Sequence, residues 1–314
     1  MHKALVVGID NYKNAQLRGC VNDANSIATL LRNNGDGSPN FSVKLLTSPS
    51  DSVTRPILRE SIESLFSGNP AIALFYFSGH GIIPSYGGYI VTSDFERYDE
   101  GIPMDEILNI ANGSKAKDKV IILDCCYSGR IGSPSSTSNL SQLTEGLTIL
   151  TASRDTESAI EKNGKGVFTS LVLDALTGGA ADLQGYITAG NIYSYVDKAL
   201  GPWDQRPIFK TNVSNFASLR AVQSPIDLFI LKKITDYFIN PEDEVKLDPS
   251  FEFADPRKVE ANVKILQNLQ EMVKVGLVVP VGEKHMYFAA MNSKSCKLTA
   301  MGYKYWRLVK ENRI

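Results

Sequence analysis

Apolar runs of strand length recur along the chain, each ending in a polar or glycine-bearing turn and followed by a stretch with helical period. The first covers residues 3–9 (K-A-L-V-V-G-I), after which Ala24, Ile27, Ala28, Leu30 and Leu31 recur at helical spacing, with Asn22 or Asp23 placed to cap that helix. Residues 35–40 read as a loop, 42–47 as a second strand, and 53–66 as a helix with Ile57, Leu58, Ile62, Leu65 and Phe66 on its apolar side. Residues 71–77 (A-I-A-L-F-Y-F) and 119–124 are continuous apolar runs, the pattern of strands buried on both faces. Between them, 88–92 predicts a short hairpin arm and 103–111 a helix opened by Pro103. A strand over 146–152, a helix carrying Leu171, Val172, Leu173, Ala175 and Leu176, a helix over 189–200 and a strand over 206–211 complete six strands and about five helices. Strand and helix alternate, so the class is α/β with a mostly parallel, doubly wound sheet.

Two stretches break the pattern. Residues 131–144 hold seven Ser or Thr with Gly and Pro and no apolar period, which predicts a mobile loop. Residues 153–165 are polar and carry Arg154, Lys162 and Lys165. A linker at Gln223-Ser224-Pro225 then divides the chain into residues 1–222 and 223–314. The second part predicts an amphipathic helix over 226–239, an acidic loop over 240–256, and a long helix over 257–275 stopped by Gly276. A β-hairpin from 277–281 and 285–289 and a last helix after Leu298 follow.

Composition narrows the classes. With 314 residues, 43% hydrophobic and 21% charged, the chain has an ordinary soluble composition and enough apolar residues for a sizeable core. A net charge of −1 gives no push toward nucleic acid or an anionic membrane. The amino-terminal apolar run is too short for a signal peptide, and no run approaches the roughly 20 residues that span a bilayer. The four cysteines (Cys20, Cys125, Cys126, Cys296) show no metal spacing, which points to a reducing cytoplasm and to neither a disulfide framework nor a zinc site.

The chemistry gathers at two strand ends. Residues 120–129 read V-I-I-L-D-C-C-Y-S-G, and the run over 71–77 ends in Ser78-Gly79-His80-Gly81. Open α/β sheets bind ligands outside the carboxyl ends of their strands. If the two strands are neighbours, a thiol and an imidazole meet there, since adjacent strands lie about 4.8 Å apart. His80 and Cys126 are 46 residues apart, near the roughly 50 of the caspase arrangement.

S-G-H-G and D-C-C-Y-S-G, with L-R-G-C-V-N-D upstream and T-A-S and G-V-F-T downstream, resemble the signatures of caspase-like cysteine peptidases, above all the metacaspase and bacterial orthocaspase branch. Tyr127 stands where that branch has a histidine. The resemblance covers residues 3–219 and implies a caspase-like six-stranded sheet flanked by helices. It also implies a Cys126–His80 dyad with Cys126 as nucleophile, and an oxyanion hole from the backbone N–H groups of Gly81 and Cys126. Cys125 lies one residue earlier on the strand, faces the opposite side and reads as a buried filler.

The metacaspase pocket corresponds here to Cys20, Asp23, Ser78 and Asp124, which implies cleavage of proteins or peptides after Arg or Lys, because paired carboxylates favour a guanidinium or ammonium. The plainer account makes Asp23 a helix cap and Asp124 a loop anchor. Arg18 keeps an Asp-specific enzyme as the alternative, beside a non-catalytic caspase-fold interaction module or a DNA-linked regulator. Calcium is not favoured as a cofactor: Asp94, Asp99, Glu100, Asp105 and Glu106 lie in the family's acidic region, but Met104 replaces one of its paired acids. No metal site is expected. Self-cleavage after Arg130, Arg154, Lys162 or Lys165 is a further expectation.

The order of elements after residue 223, with L-T-A-M-G-Y after the hairpin, resembles a small winged-helix-like α+β domain. Its 14 Lys and Arg against 12 Asp and Glu, a net of +2, do not favour nucleic acid. The resemblance implies a regulatory or sensor role in which a small-molecule signal or partner protein gates proteolysis, as in bacterial defence or cell death.

Overall fold

The computed structural model describes residues 1–13, 15–84, 87–96, 99–126, 131, 143–152, 161–162, 165–201 and 206–314. They divide into two compact units, Met1–Gln223 and Ser224–Ile314.

The first unit begins with β1 (His2–Gly8), α1 (Cys20–Arg32), β2 (Phe41–Thr47), α2 (Arg55–Phe66) and β3 (Ile72–Ser78). Three two-residue strands, β4 (Gly81–Ile82), β5 (Tyr89–Ile90) and β6 (Ile102–Pro103), form an antiparallel arm just past β3, and α3 (Met104–Asn112) follows. Then come β7 (Asp118–Asp124), β8 (Leu147–Thr151), the short pair β9 (Glu161–Lys162) and β10 (Lys165–Gly166), and α4 (Val167–Asp174). The unit closes with β11 (Tyr186–Thr188), α5 (Ala189–Ala199), β12 (Ile208–Asn212) and β13 (Ser218–Ala221).

Six strands make the main sheet in the order β12-β8-β7-β3-β1-β2. All neighbours are parallel except β12, which runs antiparallel to β8. The α/β class and the mostly parallel sheet of six strands read from the sequence are therefore what the chain forms. Alternation along the strands assigns helices to faces. Phe75, Phe77, Ile121 and Leu123 pack with Leu58 and Ile62 of α2 and Ile107 of α3. Leu74, Tyr76 and Ile122 pack with Ile27 of α1, Phe168 of α4 and Ile192 of α5. The central strands β3 and β7 are buried almost throughout, so only their carboxyl ends are free to carry chemistry.

One cap differs from expectation. Helix α1 starts at Cys20, and neither Asn22 nor Asp23 caps it. Asp10, in the turn after β1, accepts the Cys20 N–H at 2.9 Å and the Val21 N–H at 3.4 Å. A carboxylate from a neighbouring loop satisfies the helix's first donors, and Asp23 is buried instead.

The second unit contains α6 (Leu228–Lys232), α7 (Ile234–Tyr237), β14 (Glu244–Lys246), α8 (Glu260–Lys274), β15 (Val278–Val281), α9 (Met286–Met291), β16 (Ser295–Leu298) and α10 (Ala300–Lys310). The single helix expected over 226–239 is two short ones. The hairpin expected from 277–281 and 285–289 is half right: β15 forms, but the residues expected to return as a strand form α9. The returning strand is β16, which pairs antiparallel with both β14 and β15. Met286, Ala289 and Ala290 are the buried face of α9, and a three- to four-residue spacing is what a helix requires.

Candidate active site

Strands β3 and β7 are adjacent and parallel, with Ser78 opposite Asp124. His80 and Cys126 each stand two residues beyond that pair, so their backbones leave the sheet side by side. The two tips also touch: the Gly79 N–H donates to the Asp124 carbonyl at 3.3 Å. A methyl group on Gly81 would lie only 2.2 Å from the Cys126 carbonyl oxygen, so glycine is required for this approach. Cys125 is fully buried among the side chains of the α2 and α3 face, while Cys126 is half-buried at the strand end.

The imidazole has a defined partner. His80 Nε2 lies 2.6 Å from the Ala15 carbonyl oxygen, which can only accept, so Nε2 carries the hydrogen. In the neutral ring, Nδ1 is then the basic nitrogen. The His80 carbonyl accepts the Val91 N–H at 2.9 Å, which ties the residue to the β4–β5 arm.

Cys20, Asp23, Ser78 and Asp124 lie on the α1 and α4 side of the sheet, all at most 6% exposed. Asp23 Oδ2 accepts the Gly166 N–H at 2.9 Å, and Asp124 Oδ2 accepts the Thr169 hydroxyl at 2.6 Å. That leaves the Thr169 oxygen as acceptor for the Tyr76 hydroxyl, 2.6 Å away. The two carboxylates flank the start of α4, a helix whose N-cap residue, Gly166, has no side chain to offer. A helix N-terminus is a favourable place for negative charge. Burial, and then the charges of Asp124 and Asp23, hold the Tyr76 phenol well above its usual pKa.

Arg18, by contrast with the buried acids, is exposed. Asp94 accepts the Arg55 N–H at the start of α2, Asp99 pairs with Arg55 at 2.5 Å, and Glu106 pairs with Arg59 at 2.5 Å. Asp99 and Glu106 are thus engaged by arginine side chains, and Asp94 by a backbone N–H. Among the described residues, no group of three or more His, Cys, Asp or Glu is arranged to hold a metal ion. Tyr127, Arg130, Arg154 and most of the loops over 131–144 and 153–165 lie outside the described residues, as do the side chains of Lys162 and Lys165.

Sequence reasoning missed Tyr12, Ala15, Tyr76 and Thr169. Ala15 acts through its backbone and leaves no side-chain signal. Tyr76 and Thr169 each interrupt an apolar stretch with a hydroxyl, and a buried hydroxyl needs a partner. That was the available signal.

A family model described as Caspase domain matches residues 1–217. No curated protein matches the chain. Among solved structures, caspase-1 from Spodoptera frugiperda is 12% identical, covers 71% of this chain and 91% of its own, and superposes with a TM-score of 0.52. A protein from Geobacter sulfurreducens is 15% identical over 71% of this chain and 100% of its own, with a TM-score of 0.49. The likeness to the insect caspase concerns the fold.

Proposed function

The chain belongs to the caspase domain family, whose members are cysteine peptidases, and on that premise we propose that it is an endopeptidase with Cys126 as nucleophile and His80 as its base. The observation that carries this reading is the β3–β7 register, which brings the two residues off neighbouring strand ends, with the Nε2 hydrogen of His80 committed to Ala15. Nδ1 takes the thiol proton, and the thiolate attacks the scissile carbonyl. Backbone N–H groups of Gly81 and Cys126 receive the developing oxyanion. The imidazolium returns its proton to the leaving amine, and a water activated by His80 hydrolyses the thioester.

The acid pair supports cleavage after Arg or Lys. Two buried carboxylates favour a cationic side chain and disfavour an aspartate. Cys20 and Ser78 line the same side of the sheet and complete the pocket.

The unit Ser224–Ile314 is the regulatory part, winged-helix-like in its antiparallel order β14-β16-β15 and its flanking helices. It exposes Phe229, Ile239, Phe253, Tyr287, Phe288 and Tyr303, and its net charge of +2 does not favour nucleic acid over a partner protein or small signalling molecule. Such gating belongs to a cytoplasmic protease of bacterial defence or cell death. Among the described residues, no helix is long and apolar enough to cross a membrane.

The test is hydrolysis of matched fluorogenic peptides ending in Arg, Lys or Asp, with and without calcium and a cell extract. Cleavage after Arg or Lys that is lost in Cys126→Ala is the expected result. Cleavage after Asp would overturn the pocket assignment, and no Cys126-dependent cleavage under any condition would leave only a caspase-fold interaction module.

A further inference from the structure

Tyr12, in the turn between β1 and α1, has no part in the reaction as described above. It is buried, yet its hydroxyl makes two backbone hydrogen bonds: it accepts the His80 N–H at 3.0 Å and donates to the Val91 carbonyl at 3.3 Å. Its ring also meets the imidazole, with centroids 4.5 Å apart and planes at 55°.

The arm beyond β3 explains why this is unusual. Gly81 pairs with Ile90 in the antiparallel β4–β5 ladder, so the next rung outward joins His80 to Val91. In such a rung, a hydrogen-bonded pair exchanges both of its N–H···O bonds. One of them is direct, from Val91 N to His80 O at 2.9 Å. The other is not: the His80 N–H reaches the Val91 carbonyl only through the phenol oxygen. The hydroxyl is wedged into one half of the rung, holding the His80 backbone off Val91 on that side. Gly79 belongs to the same device, because a methyl group there would lie 2.5 Å from the Tyr12 hydroxyl.

We propose that Tyr12 is a positioning residue for His80, its hydroxyl setting where the imidazole stands relative to Cys126. The inference rests on the Cys126–His80 reading above. The loop after β1 thereby grips His80 twice, by Tyr12 at the backbone and by Ala15 at the ring. Burial raises the Tyr12 phenol well above its ordinary pKa, so it stays protonated and keeps both bonds at any working pH.

Tyr12→Phe in the full-length chain removes the wedge and leaves the ring. The expected result is a fall of about 10-fold or more in kcat with KM little changed, since an ångström of misplacement costs on the order of 100-fold. Alkylation of Cys126 by iodoacetamide near neutral pH should slow in step, because thiolate formation uses the same histidine. Wild-type kcat and wild-type alkylation in Tyr12→Phe would overturn the proposal, as would a loss confined to KM. If the variant does not fold, amide hydrogen exchange in the wild-type protein decides: a His80 amide protected as strongly as that of Val91 supports the wedge, and one exchanging like a free loop amide refutes it. Absence of Cys126-dependent hydrolysis in the wild type defeats the peptidase reading alone, since the exchange measurement still tests the contact.

Discussion

A single hydroxyl, that of Thr169, joins the buried Tyr76 phenol to the Asp124 carboxylate, and it is the most economical place to ask whether that acid meets substrate. Thr169→Val keeps the shape and removes the bond. Leaving a buried polar group without its partner costs about 1–3 kcal/mol, so a modest drop in stability is expected whatever the function. The informative quantity is kinetic. If Asp124 binds the cationic side chain, KM for an Arg-ended peptide should rise by roughly 10-fold, the equivalent of about 1.4 kcal/mol, while kcat changes little. Identical kinetic constants would make Asp124 an anchor for α4 and nothing more.

At the scale of elements, the proposed catalysis depends on how closely the ends of β3 and β7 approach. Gly81→Ala would force a methyl group against the Cys126 carbonyl, and overpacking of this kind costs about 1–3 kcal/mol. Hydrolysis should fall below detection if the proposed mechanism holds, because the displaced backbone carries both the proposed nucleophile and a proposed oxyanion donor. Gly113→Ala is the control: an added methyl there meets only ordinary contacts at 3.5 and 3.7 Å, so activity and thermal midpoint should match wild type. Equal effects of the two substitutions would mean that the close approach is incidental. The start of α4 is a second such junction, held by Asp23 and Asp124 from α1 and β7, so the acids of the proposed pocket also hold the scaffold.

For the whole molecule, two buried tyrosines predict the shape of the alkaline limit. Tyr12 and Tyr76 both have phenols raised well above the ordinary value of about 10. Above that pH the unfolded chain loses protons that the folded state keeps, so the stability contributed by these groups is complete below about pH 10 and declines as pH rises further. Urea midpoints between pH 8 and 11 should show this decline, with a shallower slope in Tyr76→Phe; parallel slopes would refute the assignment. The two-unit organisation makes a separate prediction. Removing Ser224–Ile314 should alter basal peptide hydrolysis or its response to cell extract, and unchanged rates in both would count against a regulatory second unit.

The sequence by itself determined the α/β class, the six strands of the main sheet, and the two strand ends carrying thiol and imidazole, because continuous apolar runs ending abruptly in polar residues have few other ways to be buried. It did not determine the hydrogen-bond partners. Asp10 rather than Asn22 or Asp23 caps α1, because a loop next to the helix in space supplies the carboxylate. Strand β16 rather than residues 285–289 pairs with β15, because a hairpin motif cannot report a helix inserted before the return strand. Tyr12 reaches His80 across 68 residues of chain, and Thr169 reaches Asp124 across 45. Local propensity and periodicity act over a turn or two of chain, whereas the partners of buried polar groups are chosen by which distant strands and helices the fold brings together, and only the tertiary structure decides that.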